Sequence, residues 1–253
     1  MRRAIILIVL TILLNLYSYS QLLCTNPNSE YGQILWKGYL TEYSGKILKA
    51  IEIYKNAILL NPLCLDGYNF LSSAYLKVGD FDQVIKLCRY SLKLQPKNIS
   101  ALHKLGYALY VQQNYDSAMI CFNKALSLDN SNLVIQTNIS LTYSEMEIHE
   151  KELKTISSVL HTIELNPQMK GLEVAYINKQ AGIIYFKYDS TLTAINLLLK
   201  ANSQIPHDGE LNYYLGNCYD KIGNTKKAKK YFKKSYNNGF NLDAIFKVKY
   251  QIE

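Results

Sequence analysis

The chain has 253 residues, 49% of them hydrophobic and 19% charged, which supports a folded core and excludes a disordered polyelectrolyte. Its formal charge of +8 is unevenly placed: nine lysines from Lys221 to Glu253 face only Asp243 and Glu253, a net +7 for that stretch. Five cysteines without a CxxC pair and four histidines without an HExxH pair exclude the common zinc frameworks and a scaffold built on disulfides.

Met1, Arg2 and Arg3 open the chain, residues 4–14 are apolar except for Thr11, and Ser18 and Ser20 stand at the third and first positions before a cut after Ser20. This pattern predicts a secretory signal peptide over residues 1–20, cleaved after Ser20, and an exported product in the bacterial cell envelope, the periplasm first. Two alternatives stay open. An uncleaved anchor is disfavoured because the apolar stretch falls short of the ~20 residues a span needs. Lipid modification at Cys24 is disfavoured by the bulky Leu23 before it. Cys24 and Cys64 are left open as a disulfide pair, while Cys88, Cys121 and Cys218 read as small core residues. An exported chain rarely meets nucleic acid, so no nucleic-acid partner is expected.

After a linker over residues 21–30, small residues recur at Gly38, Ser72, Gly106, Ser140, Gly182 and Gly216, at intervals of 34, 34, 34, 42 and 34. Such a period belongs to stacked helical hairpins, each of which needs its neighbours to bury its apolar face. The hairpins are predicted over 31–64, 65–98, 99–132, 133–170, 171–208 and 209–242. The first is irregular, with Lys37 and Thr41 at core positions of its opening helix. Gly45, Gly79 and Gly223 fall in turns that want a positive φ, and Pro62, Pro96, Pro167 and Pro206 follow helix ends. The eight extra residues of the fourth interval, about two helical turns, are predicted to extend the second helix of hairpin four to about Glu164 and to start hairpin five near Gly171. Leu242, Ile245 and Phe246 predict an apolar stripe on a capping helix over 243–253.

Leu102, Leu105, Gly106, Leu109, Tyr115, Ala118, Phe122 and Ala125, and again Leu215, Gly216, Tyr219, Gly223, Ala228 and Phe232, follow a W-x2-L-G-x2-Y, A-x3-F, P pattern and so resemble the tetratricopeptide repeat (TPR) family. The resemblance implies an all-α, right-handed superhelical solenoid of about six helix-turn-helix hairpins with a C-terminal cap. It also implies a concave groove, lined by positions 2, 5, 6, 9, 12 and 13 of each first helix, that receives an extended peptide or a partner helix. Carried over by position, the groove residues are Asn69, Phe70 and Lys77, then His103, Lys104, Tyr107 and Tyr110, then Asn138. Tyr176, Lys179, Phe186 and Lys187 follow in hairpin five, and Tyr213, Tyr214 and Asn217 in hairpin six. Tyrosine gives large contact area for few rotatable bonds, and the lysines favour an acidic ligand; with 22 tyrosines in the chain, chance placement is the competing account. The carboxylate clamp of chaperone-binding repeats is matched only at Asn138.

Lys226, Lys227, Lys229, Lys230, Lys233 and Lys234 surround Ala228 and Phe232 and face water, either as a solvated end or as a contact for an anionic surface such as a membrane. No nucleophile elbow, paired-carboxylate context or phosphate-cradling loop is present, so no enzyme, cofactor or metal is expected. The function expected is a protein-binding scaffold; the alternative is a membrane-tethered envelope assembly factor that uses its lysine-rich end.

Overall fold

The structure is a computed structural model and describes residues 26, 28–242 and 244–252. The expected signal peptide, its cut after Ser20 and Cys24 lie outside the described residues. Among those described there are thirteen helices and no strand. They fall into two compact units divided after Asn130.

Unit one holds three hairpins: α1 (Glu30–Tyr43) with α2 (Ile47–Leu60), α3 (Leu65–Val78) with α4 (Phe81–Leu94), and α5 (Ile99–Val111) with α6 (Tyr115–Leu128). Unit two holds α7 (Leu133–Glu145) with α8 (His149–Leu165), α9 (Leu172–Lys187) with α10 (Thr191–Asn202), and α11 (Gly209–Lys221) with α12 (Thr225–Asn237), followed by α13 (Ala244–Tyr250). Polar residues set many of the starts. Ser29, Asp80, Asn98, Asn114, Asn132, Asp208 and Asn224 each accept a hydrogen bond from the backbone N–H three residues on, satisfying a donor that the first helical turn leaves open.

One contact repeats inside the hairpins and explains the 34-residue period. A Cβ added to Gly38 would lie 2.3 Å from the Tyr54 ring; at Gly106 and Gly216 it would meet the rings of Phe122 and Phe232 at 2.7 Å, and at Gly182 the Leu198 Cγ at 2.7 Å. Each partner lies sixteen residues after its glycine. Ser72 and Ser140 carry Cys88 and Ile156 at the same offset, a smaller and a slimmer partner for a residue that keeps its Cβ. The small residue thus admits a large side chain from the opposite helix and lets the axes approach.

Twelve residues after each small residue stands a fully buried Ala50, Val84, Ala118, Ala194 or Ala228. Hairpin four is the exception, because that position is Glu152, which is equally buried. Its Oε2 accepts from Tyr188 Oη at 2.5 Å, with Lys187 Nζ at 3.8 Å, while Oε1 has no hydrogen-bond partner. Its backbone carbonyl accepts from Ser140 Oγ at 2.8 Å. The same hairpin buries Thr137, Asn138 and Thr142, so polar contacts replace part of the apolar core there. The extra length is shared with the next hairpin: α8, which ends hairpin four, has 17 residues and α9, which opens hairpin five, has 16, against 12 to 14 in the other hairpin helices.

Seven residues after each small residue the chain turns with a positive φ. Gly45, Gly79 and Gly223 take it at 81°, 76° and 75°, but Gln113, Glu147 and Asp189 take it at 61°, 58° and 59°. A side chain in this region is strained by its own Cβ, and glycine is not. Replacing Gln113 by glycine is therefore expected to raise stability by about 0.5–1 kcal/mol, read as a higher urea midpoint at unchanged slope.

α13 closes the end of unit two. Phe246 stacks on Phe232 at 4.7 Å and Tyr250 lies 5.1 Å from the same ring, while Leu242, Tyr250 and Ile252 are buried. The side chain of Ile245, expected in this stripe, is outside the described residues; Tyr250 and Ile252 extend the contact beyond it. Asp220 fastens the helix by accepting from Lys249 Nζ at 2.8 and 2.9 Å and from Tyr250 Oη. Partial burial works against the Asp220 charge, but Lys249 and Tyr250 outweigh it and hold the carboxyl below its usual range. A depressed carboxyl contributes stability that is complete above the unfolded value, about pH 4, and is lost as pH falls through the folded one. Acidification through that window, or Asp220→Asn at neutral pH, is expected to release α13 first, seen as faster amide exchange over 244–250.

Candidate functional site

The expected groove residues sit on the first helices of the hairpins, where the register carries them, but they are not equally available. On unit one, Phe70 lies against the buried Tyr54 with ring centroids 5.4 Å apart. Lys77 pairs with Glu42 at 2.6 Å, and Lys104 Nζ donates to the Asn69 carbonyl at 2.8 Å. Burial pulls the Lys104 ammonium below its usual range. His103 packs 6.2 Å from Phe122, and burial first, then the Lys104 charge, pulls its pKa down to about 4. Tyr107 is exposed and stacks with Tyr110 at 6.4 Å, which in turn meets Tyr115 at 5.8 Å.

Hairpin one supplies three residues that the sequence reading passed over. Trp36, Tyr39 and Tyr43 occupy positions 6, 9 and 13 of the same register and are 61%, 43% and 83% exposed. Trp36 stacks on Tyr39 at 5.4 Å, and Tyr39 on Tyr43 at 6.5 Å. The signal was there: counting from Gly38 instead of from the better-formed repeats finds them.

On unit two most of the expected residues hold one hairpin to the next. Tyr176 Oη donates to Asn138 Oδ1 at 2.8 Å. Lys179 sits between Asp208 and Glu210, each at 2.9 Å; burial opposes its charge, but these carboxylates prevail and raise its pKa. Lys187 donates to Ser144 Oγ at 2.9 Å, and Lys221 pairs with Asp189 and lies 5.4 Å over the Phe186 ring. Phe186 meets Tyr214 edge-on, Tyr213 stacks on Phe240 at 4.9 Å, and Asn217 donates to the Tyr213 carbonyl. A pattern emerges at the last turn of the first helices. Position 12 of one hairpin meets position 13 of the next in Glu42–Lys77 and Ser144–Lys187, and Phe186–Lys221 repeats it through a ring. Lys179 and Lys187 were expected to favour an acidic ligand, and each has a carboxylate of this chain within 4.0 Å.

On α12, Lys226, Lys229 and Lys233 are exposed without ring contacts, while Lys227 lies 4.9 Å over Tyr219 and Lys230 and Lys234 approach Tyr231 at 5.8 and 5.7 Å. The thiols are chemically quiet: burial pushes Cys88 up to about 11 and Cys218 up to about 12, and raises Cys121. Cys64 is buried and disulfide-bonded. Among the described residues no group of His, Cys, Asp or Glu side chains is placed to hold a metal ion, and no helix is long and apolar enough to cross a membrane.

Residues 99–132 and 209–237 match family models described as tetratricopeptide repeat. A TPR repeat-containing protein of Methanocaldococcus jannaschii is 32% identical over 136 residues, 53% of this chain and 22% of that protein. The chain spans less than a third of the curated relatives it matches. In structure it resembles a tetratricopeptide repeat protein from Parabacteroides merdae, with a TM-score of 0.70, 17% identity and coverage of 90% of this chain and 85% of that one. It also resembles a chain of the APC/C hetero-tetramer Cut9-Hcn1, with a TM-score of 0.77, 13% identity and coverage of 93% and 46%. At these identities the likeness is one of fold. Hairpins three and six are therefore tetratricopeptide repeats, set in an all-helical chain of stacked hairpins that shares the fold of those solved structures.

Proposed function

We propose that the protein is an exported scaffold that holds a partner protein, or an extended segment of one, on the aromatic faces of its first helices. The observation that carries this reading is the exposed, mutually stacked aromatic surface on unit one, Trp36 to Tyr43 on α1 and Tyr107 with Tyr110 on α5. Solvent-facing aromatic clusters of this kind bury large area at small entropic cost when a partner covers them. Two further features support it: tetratricopeptide repeats serve protein association, and a protein of the same fold assembles in a hetero-tetramer. Export rests on the pattern of residues 1–20, with cleavage after Ser20, and the Cys64 disulfide suits an oxidising compartment such as the periplasm.

The test is capture from the native cell envelope with wild type beside Tyr107→Ala/Tyr110→Ala. Tyr107 is exposed and Tyr110 half-buried, and neither is in the buried core, so the variant is expected to keep its far-UV spectrum and to lose the partner. Equal retention by both proteins counts against α5 as a binding face, and a wild type that holds no partner counts against the scaffold. The mass of the mature N-terminus checks the cut, Gln21 being the first residue expected.

The uncovered lysines of α12 favour a second reading, contact with an anionic envelope surface by a tethered assembly factor. Lys226→Gln/Lys229→Gln/Lys233→Gln should then reduce binding to anionic phospholipid vesicles without changing partner capture.

A further inference from the structure

The open end of unit one carries a cavity of about 1030 Å³. Trp36 and Tyr39 from α1 and Phe70 from α3 line it, and Leu40 lies beside them. Lys37, Lys46 and Lys49 also line it, and no Asp or Glu does. These three lysines are exposed and make no ion pair among the described residues, whereas Lys77, Lys179, Lys187, Lys221 and Lys249 each have a carboxylate within 4.0 Å. The register explains why the floor is bare. Ala74, which holds in α3 the place that Leu40 holds in α1, is buried in a cluster with Ala50, Tyr54 and Ala57 of α2. No described hairpin precedes α1, and Leu40 stays 48% exposed.

Bare aromatic surface ringed by unpaired cations asks for an occupant with both an apolar anchor and carboxylates. Two occupants bring the wrong charge. The chain's own residues 1–25 contain no Asp or Glu and include Arg2 and Arg3. A second copy meeting this face symmetrically would set the same three lysines against one another. An acidic segment of another protein fits.

We propose that this cavity receives an acidic segment of the partner, with a Leu, Phe or Trp side chain against Trp36 and Phe70 and carboxylates paired with Lys37, Lys46 and Lys49. The proposal rests on the protein-binding reading and narrows it to hairpin one and to a ligand chemistry.

Trp36 is the single tryptophan of the chain, so its emission reports this cavity alone. The probe is a synthetic peptide in which Leu-Phe pairs alternate with Asp-Glu pairs, compared with a control carrying lysines in place of the acids. The acidic peptide is expected to shift Trp36 emission to the blue in a saturable manner that weakens in high salt, and the control to leave it unmoved. Lys37→Gln/Lys46→Gln/Lys49→Gln, which touches no internal ion pair and should fold normally, is expected to bind the acidic peptide about tenfold more weakly. Equal response to both peptides, no response to either, or full affinity in the triple variant overturns the proposal. So does a blue shift that grows with protein concentration alone, which means a second copy, or one produced by anionic vesicles and not by the peptide, which means a membrane surface. Failure of the scaffold reading is seen separately, as a wild-type protein that holds no partner in envelope capture whatever the peptide does to Trp36.

Discussion

Phe122→Ala is expected to cost about 3–5 kcal/mol and to unfold the third hairpin before the rest of unit one. Phe122 is fully buried, and its ring fills the space that Gly106 leaves on the opposite helix. The converse change is informative too. Gly106→Ser puts a Cβ 2.7 Å from the Phe122 ring, and overpacking of this kind costs about 1–3 kcal/mol. Hairpin four already carries a serine at this place with isoleucine sixteen residues on, in Ser140 and Ile156. Gly106→Ser/Phe122→Ile is therefore expected to be markedly more stable than the sum of its single changes implies, a coupling that a double-mutant cycle in urea measures. Additive effects would mean that the two positions do not share one packing space.

Stability should also fall between neutral and mildly acid pH because of one histidine. His103 has its pKa lowered to about 4 by burial and by Lys104 beside it, against 6.5 when free. With the folded value depressed, the unfolded chain binds the proton first, so the neutral-His contribution is complete above the unfolded value and is lost as pH falls from about 6.5 to about 4. The loss is on the order of 3 kcal/mol, falling on unit one. His103→Phe keeps a flat ring next to Phe122 and should abolish this part of the pH dependence while leaving stability near pH 7.5 little changed. Urea midpoints of both proteins at a series of pH values decide it, and parallel curves would remove His103 as the cause.

The two changes differ in how far they were legible beforehand. Gly106 and Phe122 recur in register with their counterparts in other hairpins, so their role was readable as a pattern. His103 was readable as a groove position but not as a half-buried base whose pKa is lowered, because its burial depends on how α5 packs in unit one. The lysines make the same point. Lys77, Lys179 and Lys187 looked like a basic groove in the linear chain, and Glu42, Asp208, Glu210 and Glu152, each on a neighbouring hairpin or at its start, face their charge. Lys37 was read only as an irregularity of the first repeat, and with Lys46 and Lys49 it makes no ion pair among the described residues.

By itself the sequence determined the helical hairpins, their small-residue register, the turns at Gly45, Gly79 and Gly223, and the place of the long fourth interval. All of these follow from local chemistry and a fixed period, since a missing Cβ, a positive φ or a helix cap acts within its own hairpin. The tertiary structure decided which polar side chains are spent on joining hairpins and which remain for a partner. It also decided that a carboxylate, Glu152, can occupy an alanine position, because Tyr188 at the end of the next helix reaches back to it. Those outcomes depend on distances between elements far apart in the chain, and a linear pattern carries no measure of them.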